Sequence, residues 1–219
     1  VRIVLTIAAV ALVAILSTAL VAPLFIDWSV HRAEVEARLS AMTGADIVLT
    51  GPITVRLLPI PYLDAGGGSI SGRGEGAPRL SFESARLELA LVKLVSGKIR
   101  FSEIKLARPI VAMSRGPDGA VRLPALPSAR EEAAGFDHLL VEDGRIKIAA
   151  SAAGAAREID DVQLSADASS LAGPFHVSGR FSGPAGAPVV FRFTSEKAGP
   201  AGTPVRASVD AGPSWPALE

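Results

Sequence analysis

Residues 46–57 read Asp-Ile-Val-Leu-Thr-Gly-Pro-Ile-Thr-Val-Arg-Leu, and apolar side chains fall there on alternate positions: Ile47 and Leu49, then Ile53, Val55 and Leu57 beyond a Gly51-Pro52 turn. A period of two belongs to a strand with one buried face. The same signal continues downstream, where Ala85, Leu87 and Leu89 alternate with Ser84, Arg86 and Glu88. Ile99 and Phe101 are out of phase with Ile104 and Leu106, which predicts a bulge near Ser102-Glu103. Leu139 and Val141 lead into an expected Asp143-Gly144 turn, after which Ile146 and Ile148 oppose Arg145 and Lys147. Phe175, Val177 and Phe181 oppose His176, Ser178 and Arg180; Val189, Phe191 and Phe193 oppose Arg192 and Thr194; Val205, Ala207 and Val209 oppose Arg206 and Asp210. Gly and Pro punctuate the junctions. The pattern predicts a mainly β protein built on an antiparallel sheet with one wet and one dry face.

Upstream of residue 46 the pattern is helical. Ile3 to Ile26 holds 24 residues without a charge, and 14 of them are Ile, Leu, Val or Phe. As a helix this run is about 36 Å long, against about 30 Å for a bilayer core. A cleaved secretory signal is the rival reading, disfavoured because its apolar run is normally shorter and Pro23 would follow the one plausible site, Ala22. The expectation is therefore a transmembrane anchor. Arg2 before it and Asp27 and Trp28 after it orient the N-terminus to the cytoplasm. A short amphipathic helix follows, started by Asp27 or Ser29 and stopped at Gly44. Its stripe of Trp28, Val35, Leu39 and Met42 is expected to pack on the next domain rather than lie on the membrane, because its polar face carries both acids and bases.

These breaks divide the chain into an anchor (1–26), an amphipathic helix (27–43), a first β unit (44–123), a linker (124–135) and a second, incomplete β unit (136–219). Gly66 to Pro78 reads as a flexible excursion, and a turn of helix is expected around Leu89-Val95. Ser96-Gly97-Lys98-Ile99-Arg100-Phe101 echoes Asp143-Gly144-Arg145-Ile146-Lys147-Ile148, which suggests a repeated unit.

Composition excludes several functions. The chain has 219 residues, with 22 basic against 22 acidic side chains, so it lacks the basic stripe that phosphate backbones require. Aromatics are 5%, too few for a base-stacking platform, and the absence of cysteine removes disulfides, thiolate metal sites and cysteine nucleophiles. His31, His138 and His176 are far apart and lack ligand spacing. Gly72 to Ala77 matches GxGxxA without the strand and helix that a dinucleotide site needs. Neighbouring acids such as Glu142-Asp143 and Asp160-Asp161 point to opposite faces of a strand, so they do not converge on one substrate. No catalytic residue, cofactor or metal is expected.

The dry face must be covered. A closed sandwich or barrel would do so with protein alone. An open, curled sheet would leave an apolar trough that marks a binding site.

Phe25-Ile26-Asp27-Trp28 after an apolar span, Thr43-Gly44, Gly51-Pro52-Ile53 and Leu57-Leu58-Pro59-Ile60-Pro61 together resemble the N-terminal module of the AsmA family. Leu89 to Ile99, Leu106-Ala107-Arg108-Pro109, Leu140 to Ile148, Asp160-Asp161 and Gly173-Pro174-Phe175 continue the resemblance in order over most of the chain. It implies an inner-membrane-anchored bacterial envelope protein with an open β-groove, tied to outer-membrane biogenesis and to phospholipid movement between membranes. Members of that family are usually longer, so a short or truncated member is expected. With the alternation, the resemblance nominates Ile53, Val55, Leu57, Leu87, Leu89, Ile99, Phe101, Ile104 and Leu106 as groove residues contacting acyl chains. The expected partners are the inner membrane, phospholipid and other envelope proteins, with the chain beyond residue 26 in the periplasm. The alternative is a structural or adaptor protein that regulates outer-membrane protein assembly and carries no lipid.

Overall fold

The computed structural model describes residues 2–72, 79–95, 100–113, 136–150, 155–168, 174–183, 186–196 and 205–210. Helix α1 (Arg2–Phe25) is 24 residues long. Its apolar side chains are exposed from Ile3 (75%) to Leu20 (46%). Among the described residues no helix meets the length and apolarity of a membrane span.

A 3₁₀ turn (Trp28–His31) is capped by Asp27, whose Oδ1 accepts the Ser29 N–H at 3.0 Å. Helix α2 (Arg32–Thr43) follows and ends at Gly44, which takes the left-handed φ of 71° that a C-terminal stop requires. The stop at Gly44 is as expected; the start differs, because Asp27 caps the 3₁₀ turn and α2 itself begins after His31, which makes no side-chain cap bond. Trp28, Val35 and Leu39 pack on Ile47, Leu49, Ile53, Ala65, Phe82 and Ala85, so the helix docks on the sheet as its stripe predicts. The side chain of Met42 lies outside the described residues.

Among the described residues thirteen strands form one sheet: β1 (Asp46–Leu49), β2 (Ile53–Arg56), β3 (Tyr62–Ala65), β4 (Gly68–Ser71), β5 (Arg79–Phe82), β6 (Ser84–Leu89), β7 (Phe101–Ala107), β8 (Ile110–Met113), β9 (Phe136–Ile148), β10 (Arg157–Ala168), β11 (Phe175–Ser182), β12 (Pro188–Ser195) and β13 (Val205–Asp210). A short helix, α3 (Leu91–Val95), joins β6 to β7. The sheet is strongly curled into an open half-barrel.

The pairing shows that four couples of short strands, β1/β2, β3/β4, β5/β6 and β7/β8, are each one long strand bent in the middle. β1 pairs β4 while β2 pairs β3; β4 pairs β5 while β3 pairs β6; β5 and β6 meet β8 and β7. Hydrogen bonds run through the bends: Thr50 N–H to Gly67 O (3.0 Å), Gly66 N–H to Pro52 O (2.8 Å), Glu83 N–H to Ala107 O (3.2 Å) and Arg108 N–H to Glu142 O (2.8 Å). The bends align across the sheet as a seam perpendicular to the strands.

Several readings are corrected here. Gly51-Pro52 and Asp143-Gly144 are bends at this seam and not hairpin turns; Asp143 lies inside the unbroken 13-residue β9. Part of the expected excursion, Gly68–Ser71, is strand β4, because its backbone pairs with both β1 and β5; residues 73–78 lie outside the described residues. The sheet is antiparallel except at β9, which runs parallel to β7 and β8. Parallel neighbours need a long crossover, and the intervening residues 114–135, including the linker at 124–135, lie outside the described residues. The echo between residues 96–101 and 143–148 is not the register of the sheet, where Phe101 faces Phe136 and Ile110 faces Arg145. The bulge is where the phase break places it: Glu88 pairs Glu103 and Leu89 pairs Phe101, leaving Ser102 extra.

The bends have a common form. Inward-facing residues on either side of the seam are three apart: Ala65 and Gly68, Phe82 and Ala85, Leu106 and Pro109, Val141 and Gly144, Ile159 and Val162. An odd step would flip one half of each strand unless a residue were tucked into the bend. At the second intervening position φ is positive in four of these strands: Gly67 (133°), Arg108 (47°), Asp143 (53°) and Asp161 (54°). Asp is tolerated there because its short polar side chain bonds locally. Asp143 Oδ1 accepts from Gln163 Nε2 at 2.7 Å, Asp161 Oδ2 accepts from Ser182 Oγ at 2.7 Å, and Arg108 is ion-paired with Glu83. The Arg108 guanidinium holds the Glu83 carboxyl below its ordinary range. That pair therefore contributes above the unfolded carboxylate pKa and is lost as pH falls through the lowered value.

Asp143→Val should destabilise the protein by about 1–2 kcal/mol, because a β-branched residue is forced left-handed. Asp143→Gly should stay within about 0.5 kcal/mol, since relief of the backbone offsets one exposed hydrogen bond. Urea denaturation of the detergent-solubilised protein followed by circular dichroism measures both; equal losses would show that φ at this bend is unimportant.

Candidate functional site

The seam's consequence is a sheet whose two faces differ chemically from one edge to the other. On one face, the ladder places Ile53, Ala65, Ala85, Leu106, Val141, Leu164, Gly179, Phe191 and Val209 opposite one another in turn. The adjacent row on that face is Val55, Leu63, Leu87, Ile104, Leu139, Ala166, Val177, Phe193 and Ala207. Across the seam, Ile47, Ile70, Leu80, Val111, Ile146 and Ile159 form a third row. No charged side chain interrupts these rows. Nine long strands at about 4.8 Å spacing give the first two a length of about 38 Å.

The opposite face is stitched by ion pairs between neighbouring strands. Arg86 grips Asp64 with two hydrogen bonds of 2.7 and 2.8 Å, Lys105 meets Glu142 at 2.7 Å, and Arg145 meets Asp160 at 2.6 Å. Arg100 pairs with Asp137 and His138 with Asp167. The Asp64 carboxylate raises the Arg86 guanidinium pKa further above its ordinary value. Exposed pairs of this kind contribute about 0–1 kcal/mol each, so their main effect is to fix register and keep this face wet. Two depressions of about 480 and 500 Å³ lie here, the first beside Thr54, Asp64, Arg86 and Lys105, the second beside Gln163, Ser165, Arg180 and Arg192. They are open spaces between polar side chains of the hydrophilic face. Among the described residues no group of three or more His, Asp or Glu gathers as a metal site. His31 stacks near Trp28, and His138 and His176 stand exposed on the hydrophilic face.

The nominated residues fall on the apolar face in different surroundings. Ile53 is 5% exposed and lies in the core beneath Trp28, Val35 and Leu39; Val55 and Leu106 pack against the same core. Leu87, Leu89 and Ile104 are half-buried, and Phe101 is buried opposite Leu89. Leu57 lies beyond the end of β2 and is exposed, so it does not join the rows. Ile99 lies outside the described residues. Among the described residues the helical cover lies on the core of β1 to β6, with Leu106 of β7 packed against it. Further along, Val141, Leu164, Val177, Phe191 and Phe193 remain half-buried with no helix of the described residues over them. These five were absent from the nominated set. Alternation signals all of them except Leu164, but membership of one face with Leu87 appears only once the parallel pairing of β7 with β9 is known.

Two glycines shape this face. A Cβ on Gly68 would lie 2.7 Å from Phe82 Cζ, and one on Gly179 would lie 2.6 Å from Phe191 Cζ and 2.4 Å from Gln163 O. Each glycine faces its phenylalanine across the ladder. The ring fills the missing side chain's space, a device that permits sheet curvature.

The two margins of the sheet differ. β1 turns its free backbone donors to α2, where Ser40 Oγ accepts from Ile47 N–H at 3.1 Å and Glu36 Oε1 accepts from Leu49 N–H at 2.7 Å. Arg32 Nη2 donates to Gly51 O at 3.0 Å and fixes the helix at the seam. This edge is closed to further pairing.

A family model described as the AsmA family matches residues 1–186. No curated protein and no solved structure matches the chain.

Gly179→Val should cost about 1–3 kcal/mol through overpacking against Phe191 and the β10 backbone. Gly179→Val combined with Phe191→Ala should recover part of that loss if the ring is the obstacle. Thermal unfolding of the two variants reads this; no recovery in the double variant would assign the clash to Gln163 O alone.

Proposed function

The chain belongs to the AsmA family, and from that membership together with the uncovered apolar rows we propose that it is an inner-membrane-anchored envelope protein that holds acyl chains on its curled sheet. In this reading it takes part in outer-membrane biogenesis by moving phospholipid between membranes. Helix α1 supports the anchor: all 23 of its residues after Arg2 are uncharged, with consecutive exposed side chains at Ile3, Val4 and Leu5. Consecutive residues lie on different sides of a helix, so α1 is apolar all round, as a lipid-embedded helix is. Arg2 remains in the cytoplasm and the sheet extends into the periplasm.

The observation that carries the proposal is the length of apolar face beyond the reach of α2. Past that cover the rows cross β9 to β13, five strands or about 19 Å, which exceeds the roughly 15 Å thickness of one leaflet's hydrocarbon, half of a bilayer core. Exposed apolar surface of that extent marks a binding site in a soluble domain. The hydrophilic face, held by its ion pairs, keeps the outside wet while the curl shelters the inside.

A second reading rests on the sealed portion. Around Ile53, Ala65 and Ala85 the apolar face is ordinary protein core, as it would be throughout in an adaptor that contacts other envelope proteins and carries no lipid.

A photo-crosslinking amino acid at Val177, on the apolar face, should capture phospholipid in cells, whereas the same group at Ser178, on the opposite face, should not. Native mass spectrometry of the Val177 variant should show lipid in stoichiometric amount. A folded protein that captures no lipid from Val177 would remove the carrier and leave the adaptor.

A further inference from the structure

Beside the exit of α1 lies a group of exposed apolar side chains that neither the core nor the rows use. Val30 in the 3₁₀ turn is 76% exposed, Ile60 in the β2–β3 loop 52%, and Val92 in α3 82%; Leu57 and Leu91 are exposed beside them. Three different chain segments supply them. The topology brings the last two together: Leu89 N–H donates to Pro61 O at 2.8 Å, so the end of the β2–β3 loop lies against the residue that leads into α3. Helix α1 and the 3₁₀ turn meet the body of the protein at β2, the strand that runs straight into this loop. Exposure along α1 falls from 75% at Ile3 to 45% at Val21, as expected of a helix that stands free at its start and approaches the sheet at its end.

The chemistry around the group is that of a bilayer interface. Tyr62, at the start of β3, lies beneath two guanidinium groups, with Arg86 4.8 Å and Arg56 5.7 Å from its ring centroid. Lys93 is exposed on α3 next to Val92. Trp28 follows α1 after Ile26 and Asp27 and packs against the core. Arg86 is held by Asp64, which leaves the Tyr62 ring with Arg56 and the long Lys93 side chain flanking the aliphatic tips; such rings and basic side chains suit the headgroup boundary, where aliphatic tips enter the acyl layer. Tips scattered over a surface would need no explanation, but these five lie on the 3₁₀ turn, the loop into which β2 runs and the helix whose lead-in bonds to that loop, and α1 meets the sheet at β2.

We propose that the β2–β3 loop and α3 make a second contact with the bilayer crossed by α1, dipping Ile60, Leu91 and Val92 into its near leaflet. This rests on the reading of α1 as an anchor. The contact fixes the tilt of the sheet relative to the membrane and sets the β2 end of the apolar face against lipid, where an acyl chain leaving the leaflet would enter it.

The chain has no cysteine, so single-cysteine variants label cleanly. Ile60→Cys, Val92→Cys, Val13→Cys in α1 and Ser178→Cys on the hydrophilic face are each labelled with an environment-sensitive fluorophore in the full chain. Each is then reconstituted into vesicles of phosphatidylethanolamine and phosphatidylglycerol carrying nitroxide-labelled lipid. The expected result is blue-shifted emission with most of the fluorescence quenched at positions 13, 60 and 92, and neither effect at 178. Quenching at 13 with labels 60 and 92 behaving like 178 overturns the second contact and leaves the anchor standing. Absence of quenching at 13 overturns the anchor reading, and the second contact with it.

Discussion

A three-residue step at the middle of the bent strands, held in four of five by a residue with positive φ, is the constraint on which the rest of this sheet depends. Gly67, Arg108, Asp143 and Asp161 occupy the same position in bends that step over three residues. In a strand of period two, a three-residue step inverts the faces; the tucked residue restores them. Because the bends line up, every strand they cross turns the same way and the sheet curls. The same geometry keeps Ile146 on the side of Leu106 and Val141, although the count of residues between them would place it opposite. One local backbone choice therefore sets both the shape of the face and its chemical uniformity.

That uniformity has to be defended at the margins. An apolar sheet with open edges pairs with its own copies. At β1 the donors of Ile47 and Leu49 are taken by Ser40 and Glu36, and Arg32 ties the helix to the seam through Gly51. The same helix seals Ile53, Ala65 and Ala85 with its apolar stripe. Helix α2 thus does two jobs with two faces, its polar side chains closing an edge and its apolar ones closing one end of the trough. It is too short, at 12 residues, to close the remainder.

How much of this could be read from the chain depends on the range of the interaction. Strands with large alternating residues, such as β9, β11 and β12, were legible because Val, Ile and Phe mark their inward face. β3 to β5 were not, since each is four residues long and shows at most two inward side chains, of which Ala65 and Gly68 carry almost no hydrophobic signal; Gly68 is small because Phe82 lies over it. The seam was visible as Gly-Pro and Asp-Gly, but those pairs signal a reversal and a bend equally well, and the choice is made by partners far away in sequence. The bulge at Ser102 was legible because it breaks a pattern within one strand. The parallel junction of β7 and β8 with β9 left no local mark at all. The nominated face residues show the same division. Val55, Leu87 and Ile104 belong to one continuous row, as alternation suggested, while Leu57 was extrapolated one step past the end of its strand.

The sealed and unsealed parts of the apolar face bear differently on function. Burial in the core under α2 is what folding requires of any sheet, and Ile53 at 5% exposure needs no ligand to account for it. The rows continue past that cover through Val141, Leu164, Val177 and Phe193, in register, with no charge among them. Were this stretch meant for water, mutation would have little reason to leave it unbroken, since a lysine or glutamate facing solvent in a strand costs well under about 1 kcal/mol. A partner that is itself extended and apolar fits such a surface better than a globular one, because the rows run straight across the strands for about 19 Å beyond the cover. A fatty chain has that form. A protein partner would need to present a matching ridge of equal length, and the ion-paired face on the other side offers adaptors a far more specific surface for recognition.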